Sequence, residues 1–299
     1  VETLRVFREK LIGMDPRDIE GINAVMNRAV AYAGTAKAAV DIACHDILGK
    51  AAGRPLYKLL GGLSNTIETD MTVGIDTPEL MAAAAKEHVA AGFRVIKTKV
   101  GTNIADDIAR VKAIREAVGD DVKIRLDANQ GWHAREAVEL LKRLNEYDIE
   151  LVEQPVRRFD FEGLKYVTAN SPVPVMADES CWDSKDALRL VSERAVDFIN
   201  IKLMKCGGLW EAKKIVNIAE AAGVEIMLGC MAEESGIAIN AAAALGAALG
   251  NITRADLDAS FSLKALPYEG GFTIENTKDL VLSENPGLGL VRLKEEMFQ

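Results

Sequence analysis

The chain is short of the features that mark a nucleic-acid binder, a membrane protein or a disulfide-stapled secreted domain. Positive charge is in deficit: 36 Lys and Arg face 45 Asp and Glu in 299 residues, a net charge of -9. No basic stripe offsets that balance, so neither nucleic acid nor an anionic membrane surface is expected as partner. No apolar run is long enough to cross a bilayer, and no signal peptide is recognised at the start. Cysteine is scarce. Cys44, Cys181, Cys206 and Cys230 lie far apart without CxxC spacing, a pattern of reduced, packed thiols that suits a cytoplasmic protein. His45, His88 and His133 lack any metal-ligand spacing and are expected in surface or capping roles. A Gly-rich turn after the first strand-like run is also missing, which argues against an open dinucleotide-binding sheet.

Apolar residues, by contrast, make up 49% of the chain, enough for a large core. Residues 1 to 60 read as helical: Asp15-Pro16 is a start signal, and Ala33 to Leu48 carries apolar residues at helical spacing. Gly53-Arg54-Pro55 and Gly61-Gly62 close that segment. The rhythm then changes. Short β-like runs are expected at 67–74, 95–100, 122–128, 149–154, 173–178, 197–203, 225–230 and 255–259. Amphipathic helical patterns lie between them, giving units of about 23–29 residues, a spacing typical of strand–loop–helix repeats. Eight parallel strands with intervening helices predict an α/β barrel. The tail from 261 onward offers only short strand-like pieces around Phe272 to Ile274 and Leu288 to Leu293.

One run organises the rest. Val95-Ile96-Lys97-Thr98-Lys99-Val100 reads as a buried strand, yet carries two lysines. Alternation puts Lys97 and Lys99 on one face, where two ammonium groups are expensive unless anions lie close or one lysine loses its proton. The following strands supply the anions. In such barrels chemistry sits at the C-terminal strand ends, and there the third, fourth and fifth strands carry Asp127, Glu153 and Asp178. Each alone could cap a helix or pair with an arginine. Together they make a half-circle of negative charge with no His or Cys nearby, which suits a hard cation, Mg²⁺ first. Asn129, Gln154 and Glu179 are expected to orient the ligands or the lysines.

The sixth strand ends at Lys202, across the barrel from Lys97 and Lys99. A cation-bound carboxylate has an acidified α-proton, and lysines on its two sides could remove and return that proton. Like-charge repulsion from Lys97 would lower the pKa of Lys99. Lys205 reads as an ordinary helix-start lysine. Asp256 and Asp258, at the eighth strand's end, share a face by alternation and could hold a substrate ammonium, or equally be solvated turn aspartates. Thr72 could hydrogen-bond a substrate, Cys230 and Met231 could line its pocket, and Trp132 and Trp182 could wall the site or simply pack.

The Lys97-Thr98-Lys99 pair, the Asp127/Glu153/Asp178 trio and Lys202 resemble the enolase superfamily in its muconate-lactonising subgroup, over most of residues 65–260. That resemblance implies a modified (β/α)7β barrel with an α+β capping domain. Residues 1–64 would be the helical part of the cap, 65–262 the barrel, and 263–299 a segment returning to the cap. It also implies Asp127, Glu153 and Asp178 as ligands of one Mg²⁺ per subunit (Mn²⁺ a possible substitute), Lys99 and Lys202 as the acid/base pair, and Lys97 tuning Lys99. The Asp256-Leu257-Asp258 motif is similar to the ammonium-binding pair of dipeptide epimerases, including the L-Ala-D/L-Glu type. The implied activity is epimerisation of a dipeptide at its C-terminal α-carbon, by two-base 1,1-proton transfer through an enediolate. The alternatives are a muconate cycloisomerase, an o-succinylbenzoate synthase-like lyase, and a carboxylate-binding barrel without turnover. A homo-oligomer is expected by the same resemblance. Family members usually begin with several capping strands and a mobile loop over the site. On that pattern roughly sixty residues, about half a typical small domain, are expected ahead of Val1.

Overall fold

The structure, a computed structural model, describes residues 1–263 and 265–294. Its centre is a ring of eight strands: Met71–Val73 (β1), Val95–Lys99 (β2), Lys123–Asp127 (β3), Ile149–Glu153 (β4), Val175–Ala177 (β5), Phe198–Ile201 (β6), Glu225–Gly229 (β7) and Ile252–Asp256 (β8). Each runs parallel to the next in chain order, and a helix of two turns or more follows each of the first seven. Parallel neighbours need such crossovers, and the helices cover the ring's outer apolar face. The first of them shows the local logic: Thr77 accepts from Leu80 N at the N-terminus, Pro78 takes the first helical position, and Gly92 ends Pro78–Ala91. This is the (β/α)7β architecture.

Alternation divides each strand between two cores. Ile96, Ile124, Leu126 and Val152 face outward into the large core shared with the helices. Leu151, Met176 and Met227 point inward and, with Phe198, fill the ring's lower interior. The ladder register puts Lys99, Asp127 and Glu153 at one level on β2, β3 and β4. Among the described residues β1 and β8 share no ladder. Asp70 N donating to Ala255 O (3.2 Å) and Leu257 N donating to Thr69 Oγ1 (2.7 Å) close the seam instead.

Helices Glu2–Leu11, Ile19–Ala29, Gly34–Ala52 and Leu56–Leu60 form the N-terminal cap. Phe7, Ile19, Ile22, Met26 and Cys44 make its own small core, against which Trp210 packs from the barrel side. Asp41 ties the two parts together. Fully buried, it accepts from Asn23 Nδ2 (2.8 Å) and from Leu209 N (2.6 Å), at the N-terminus of barrel helix Leu209–Ala221. Gly208 allows that approach: its φ is +117°, and a Cβ there would stand 2.3 Å from Asp41 Oδ2.

Three expectations need adjusting. The run at 67–74 is not one strand. Thr66–Glu68 pairs with Asp279–Val281 in a three-stranded antiparallel sheet completed by Thr273–Glu275, and only after the Thr69-Asp70 bend does β1 join the barrel. The eighth strand is Ile252–Asp256 rather than 255–259, so Asp258 lies beyond it in a helical conformation, capping Ala259–Ser262. Alternation therefore does not relate Asp256 to Asp258. His45 is buried rather than superficial, with Nδ1 2.8 Å from Asp41 O. No helix among the described residues is long and apolar enough to cross a membrane.

Candidate active site

At the C-terminal end of the ring, four carboxylates and four lysines interlock. Lys97, 2% exposed, rises from β2 into Asp127 Oδ2 (3.1 Å), Glu153 Oε2 (2.7 Å) and Asp256 Oδ2 (2.6 Å). Burial alone would strip its proton, but those three charges raise its pKa well above normal. Lys97 therefore stays charged, and the strand is buried without that lysine losing its proton. Lys99 reaches the same Asp127 Oδ2 (2.6 Å) and Asn129 Oδ1 (3.0 Å), and is more open to solvent. Opposite, Lys202 donates to Asp178 Oδ2 (2.8 Å). Its pKa is raised as well, with Asp178 and Glu153 outweighing burial. β2 and β6 stand four strands apart in a ring of eight, so Lys99 and Lys202 approach from opposite walls.

The carboxylates are held unequally. Asp127 and Asp178 are lowered, because Lys97 and Lys99 at the one, and Lys205 and Lys202 at the other, overcome burial. Glu153 is raised to about 7 by burial and by its neighbour Asp127, against Lys97. Its Oε1 accepts from Asn200 Nδ2 (2.6 Å), while Oε2 has no aligned hydrogen bond despite the nearby Lys97. Backbone strain accompanies the strand ends: Asn129 (φ 41°), Gln130 (φ 69°) and Gln154 (φ 39°) are left-handed non-glycine residues. Gln154 Oε1 accepts from Asp178 N (2.9 Å) and Ser180 N (3.0 Å), bracing the loop after β5. Asn129 Nδ2 donates to Glu179 Oε1 (3.4 Å).

A cavity of about 510 Å³ opens over these groups, lined by Lys97, Lys99, Lys202, Asp256 and Asp258 together with Thr72, Cys230 and Met231. All of the substrate-contact candidates thus meet in one place. Asp258 Oδ2 accepts from Thr72 N (2.9 Å), and burial and Asp256 raise its pKa. Met71, Phe261 and His88 extend the cavity towards the β1–β8 seam. Trp132 stays out of it, buried with Nε1 donating to Asp107 Oδ2 (3.0 Å). Trp182 is exposed, beside Arg158, and does not line the cavity.

Comparison with known proteins decides the family. Residues 80–296 match the model described as enolase C-terminal domain-like, and residues 2–61 match the mandelate racemase/muconate lactonizing enzyme N-terminal domain. The chain belongs to the mandelate racemase/muconate lactonizing enzyme family of the enolase superfamily. Within this family it is 57% identical over 290 residues to the hydrophobic dipeptide epimerase of Enterococcus faecalis, covering 97% of this chain and 82% of that one. It is 44% identical over 289 residues to the L-Ala-D/L-Glu epimerase of Bacillus subtilis, covering 96% and 78%. The Enterococcus faecalis dipeptide epimerase solved with Mg and L-Leu-L-Tyr superposes with a TM-score of 0.95 at 56% identity, covering 97% of this chain and 82% of that one. These family members are isomerases.

Around the cavity stand side chains that the sequence reading passed over. Lys205 is no ordinary helix-start lysine. It is buried, donates to Asp178 O (2.5 Å) and Asn200 O (3.2 Å), and contacts Asp178 Oδ1. Arg125, Asn200 and Asp70 also point into the ring. Arg125 and Asn200 each stand two residues before a residue singled out from the sequence (Asp127 and Lys202), so strand alternation was the signal that could have found them; Asp70, ahead of its strand, carried no such signal.

Proposed function

We propose that this chain is a Mg²⁺-dependent dipeptide epimerase that inverts the α-carbon of the C-terminal residue by two-base 1,1-proton transfer. The observation that carries the reading is the convergence of Lys99 and Lys202, from opposite walls, on one cavity that also holds Asp256 and Asp258. The kinship with dipeptide epimerases, one solved with Mg and a dipeptide, supports it.

Asp127, Glu153 and Asp178 would hold the cation, and the donor set fits. All three are buried oxygen donors at the ends of adjacent strands, Asp178 just past β5, and Glu153 Oε2 lacks an aligned partner. Among the described residues no three carboxylates, imidazoles or thiols gather around one point, because Lys97, Lys99, Lys202 and Lys205 occupy the carboxylates instead. Bound there, Mg²⁺ (or Mn²⁺) would neutralise charge on the substrate carboxylate as its α-proton leaves. The protein's own groups do the rest. Lys99 Nζ meets the α-carbon from the β2 wall and Lys202 Nζ from the β6 wall, so one takes the proton and the other returns it. Lys97, fixed in its three carboxylates, stays charged and keeps Asp127 in place beside Lys99. Asp258, with Asp256 behind it, receives the α-ammonium of the first residue, a cation that relieves its crowded negative charge. The side chain of that residue would enter the extension lined by Met71 and Phe261, which suits an apolar dipeptide. Residues 1–64 and 263–299 would cap the catalytic barrel 65–262, in a cytoplasmic homo-oligomer.

α-Proton exchange tests the reading. With Mg²⁺ and a mixed L,L-dipeptide library in D₂O, deuterium should enter the C-terminal α-carbon with inversion, and chelator or Lys202→Ala should abolish it. Asp258→Asn should raise KM about tenfold to a hundredfold, from the loss of one charge-assisted hydrogen bond. Turnover of cycloisomerase or o-succinylbenzoate synthase substrates, indifferent to Asp258→Asn, would overturn the assignment.

A further inference from the structure

Beneath the active site, at the ring axis, lies a carboxyl group that the proposed chemistry leaves unused. Asp70 sits in the bend before β1, 1% exposed. Its Oδ2 accepts from Arg125 Nη1 (2.7 Å), and its Oδ1, fully buried, has no partner. Directly above it Asp256 Oδ2 accepts from Lys97 Nζ (2.6 Å), while its Oδ1 has only a long contact from Thr72 Oγ1 (3.5 Å). Asp70 N donates to Ala255 O (3.2 Å), and Arg125 Nη1 donates both to Asp70 Oδ2 and to Ala255 O (3.4 Å), which brings the Asp70 and Asp256 carboxyl groups together at the seam. Two carboxylates in contact, both buried, do not both ionise when one shared proton satisfies both free oxygens.

Charge balance says which of them keeps the proton. Lys97 lies against Asp256 and needs its charge. Arg125 does not need Asp70's, because its Nε is paired with Glu150 Oε2 (2.7 Å), and Glu150 is held ionised by Arg125, Arg254 and Lys123 in spite of burial. The groups facing Asp70 are therefore Asp256 and Asp258 from the β8 end, Lys97 from β2 and Arg125 from β3. Burial and the Asp256 charge push the Asp70 carboxyl well above the usual range, against Arg125 and Lys97. A second cavity, about 450 Å³ and lined by Asp70, Arg125, Glu150 and Arg254, opens on the opposite face of the barrel.

We propose that Asp70 is a neutral carboxylic acid, a positioning residue that donates its proton in a hydrogen bond to Asp256 and thereby fixes the carboxylate that holds Lys97. Its catalytic half rests on the function proposed above; its protonation half does not. An Asn at this position keeps an N–H for Asp256 and an oxygen for Arg125, whereas Leu keeps neither.

The test compares the full chain with its Asp70→Asn and Asp70→Leu variants. Infrared spectra without substrate, at mildly alkaline pH, should show a carboxylic-acid carbonyl band in the wild type that is missing from Asp70→Asn. A spectrum without that difference overturns the proposal whatever reaction the enzyme catalyses. In α-proton exchange, Asp70→Leu should lower kcat about 10–100-fold with KM little changed. Asp70→Asn should rescue kcat, with a pH profile that overlays the wild type. A moved profile in Asp70→Asn would reveal a lost negative charge and overturn the neutral acid. Wild-type kcat in Asp70→Leu would overturn the positioning role. Should Asp70→Leu fail to fold, the band and the Asp70→Asn profile still decide. A band present with no exchange on any dipeptide would sink the proposed reaction alone.

Discussion

Glu234 shows how a single side chain couples this site to pH. It lies in the loop after β7 and accepts from Met231 N (2.9 Å), while its Oε1 is buried without a partner. Burial raises its pKa from 4.5 to about 7, although the Met231 hydrogen bond and Lys202 oppose this. The folded state thus binds this proton more tightly than the unfolded chain. The stability it contributes is complete below about pH 4.5 and is lost as pH rises through about 7. Glu234→Gln removes the titration. Urea denaturation should find the two proteins alike near the lower limit, and the variant more stable above the upper one, by at most about 3 kcal/mol; equal stabilities at both pH values would refute the assignment. Groups like Glu234, Lys205 and Asp70 were opaque in the sequence because a charge is functional or ordinary according to its burial, and burial is a tertiary property. Lys97, Lys99, Asp127, Glu153, Asp178 and Lys202 were legible because position at a strand end, not burial, singles them out.

Among elements, the loops after β2 and β3 are locked by two glycines. Gly101 has φ +99°, and a Cβ there would stand 2.3 Å from Ala128 O; one on Gly131 would stand 2.3 Å from Gly101 O. Gly101→Ala combines a left-handed backbone with a clash against backbone, so it should cost about 2–3 kcal/mol. It should also slow exchange, because Asn129, the partner of Lys99, belongs to the displaced loop. Denaturation and kinetics on the same sample check both. Asp41→Ala should cost about as much, since it leaves Leu209 N and Asn23 without their acceptor. That variant weakens the join between cap and barrel rather than the chemistry, so kcat at low temperature should hardly move. Alternating apolar runs revealed most strands to within two or three residues. They failed at Thr66–Glu68, where β-propensity is satisfied equally by either sheet and only the Thr69-Asp70 bend assigns the segment to the cap side. They failed again at Asp258, where a helical cap continues what read as strand.

For the whole molecule, an ion that binds only the folded barrel must stabilise it by mass action. Mg²⁺ at a hundred times its dissociation constant is worth about 2.7 kcal/mol, a rise of a few degrees in Tm for a domain of this class. Calorimetry with Mg²⁺ and then with excess chelator should show the gain and its reversal; an unmoved Tm across the titration would remove the ion from Asp127, Glu153 and Asp178. The overall architecture was readable because seven strand–helix repeats and a final strand admit few closed arrangements. The cap's attachment was not, since it rests on tertiary contacts such as Asp41 facing Leu209 N and Trp210 packing on the cap's core, which no local pattern signals.

The seam between β1 and β8 gives the barrel a weak meridian. Seven of its eight joints are ladders; the eighth is a few scattered bonds, Asp70 N to Ala255 O, Leu257 N to Thr69 Oγ1 and Thr72 N to Asp258 Oδ2. The wall should therefore breathe along that line before any other, and Thr72, Asp256 and Asp258 stand on its two lips. An ammonium ion seated between them would act as a clasp, so a dipeptide should suppress amide deuterium uptake at residues 69–72 and 255–258 far more than in the ladders on the opposite side. The most fragile line in the barrel is then the one its own substrate fastens.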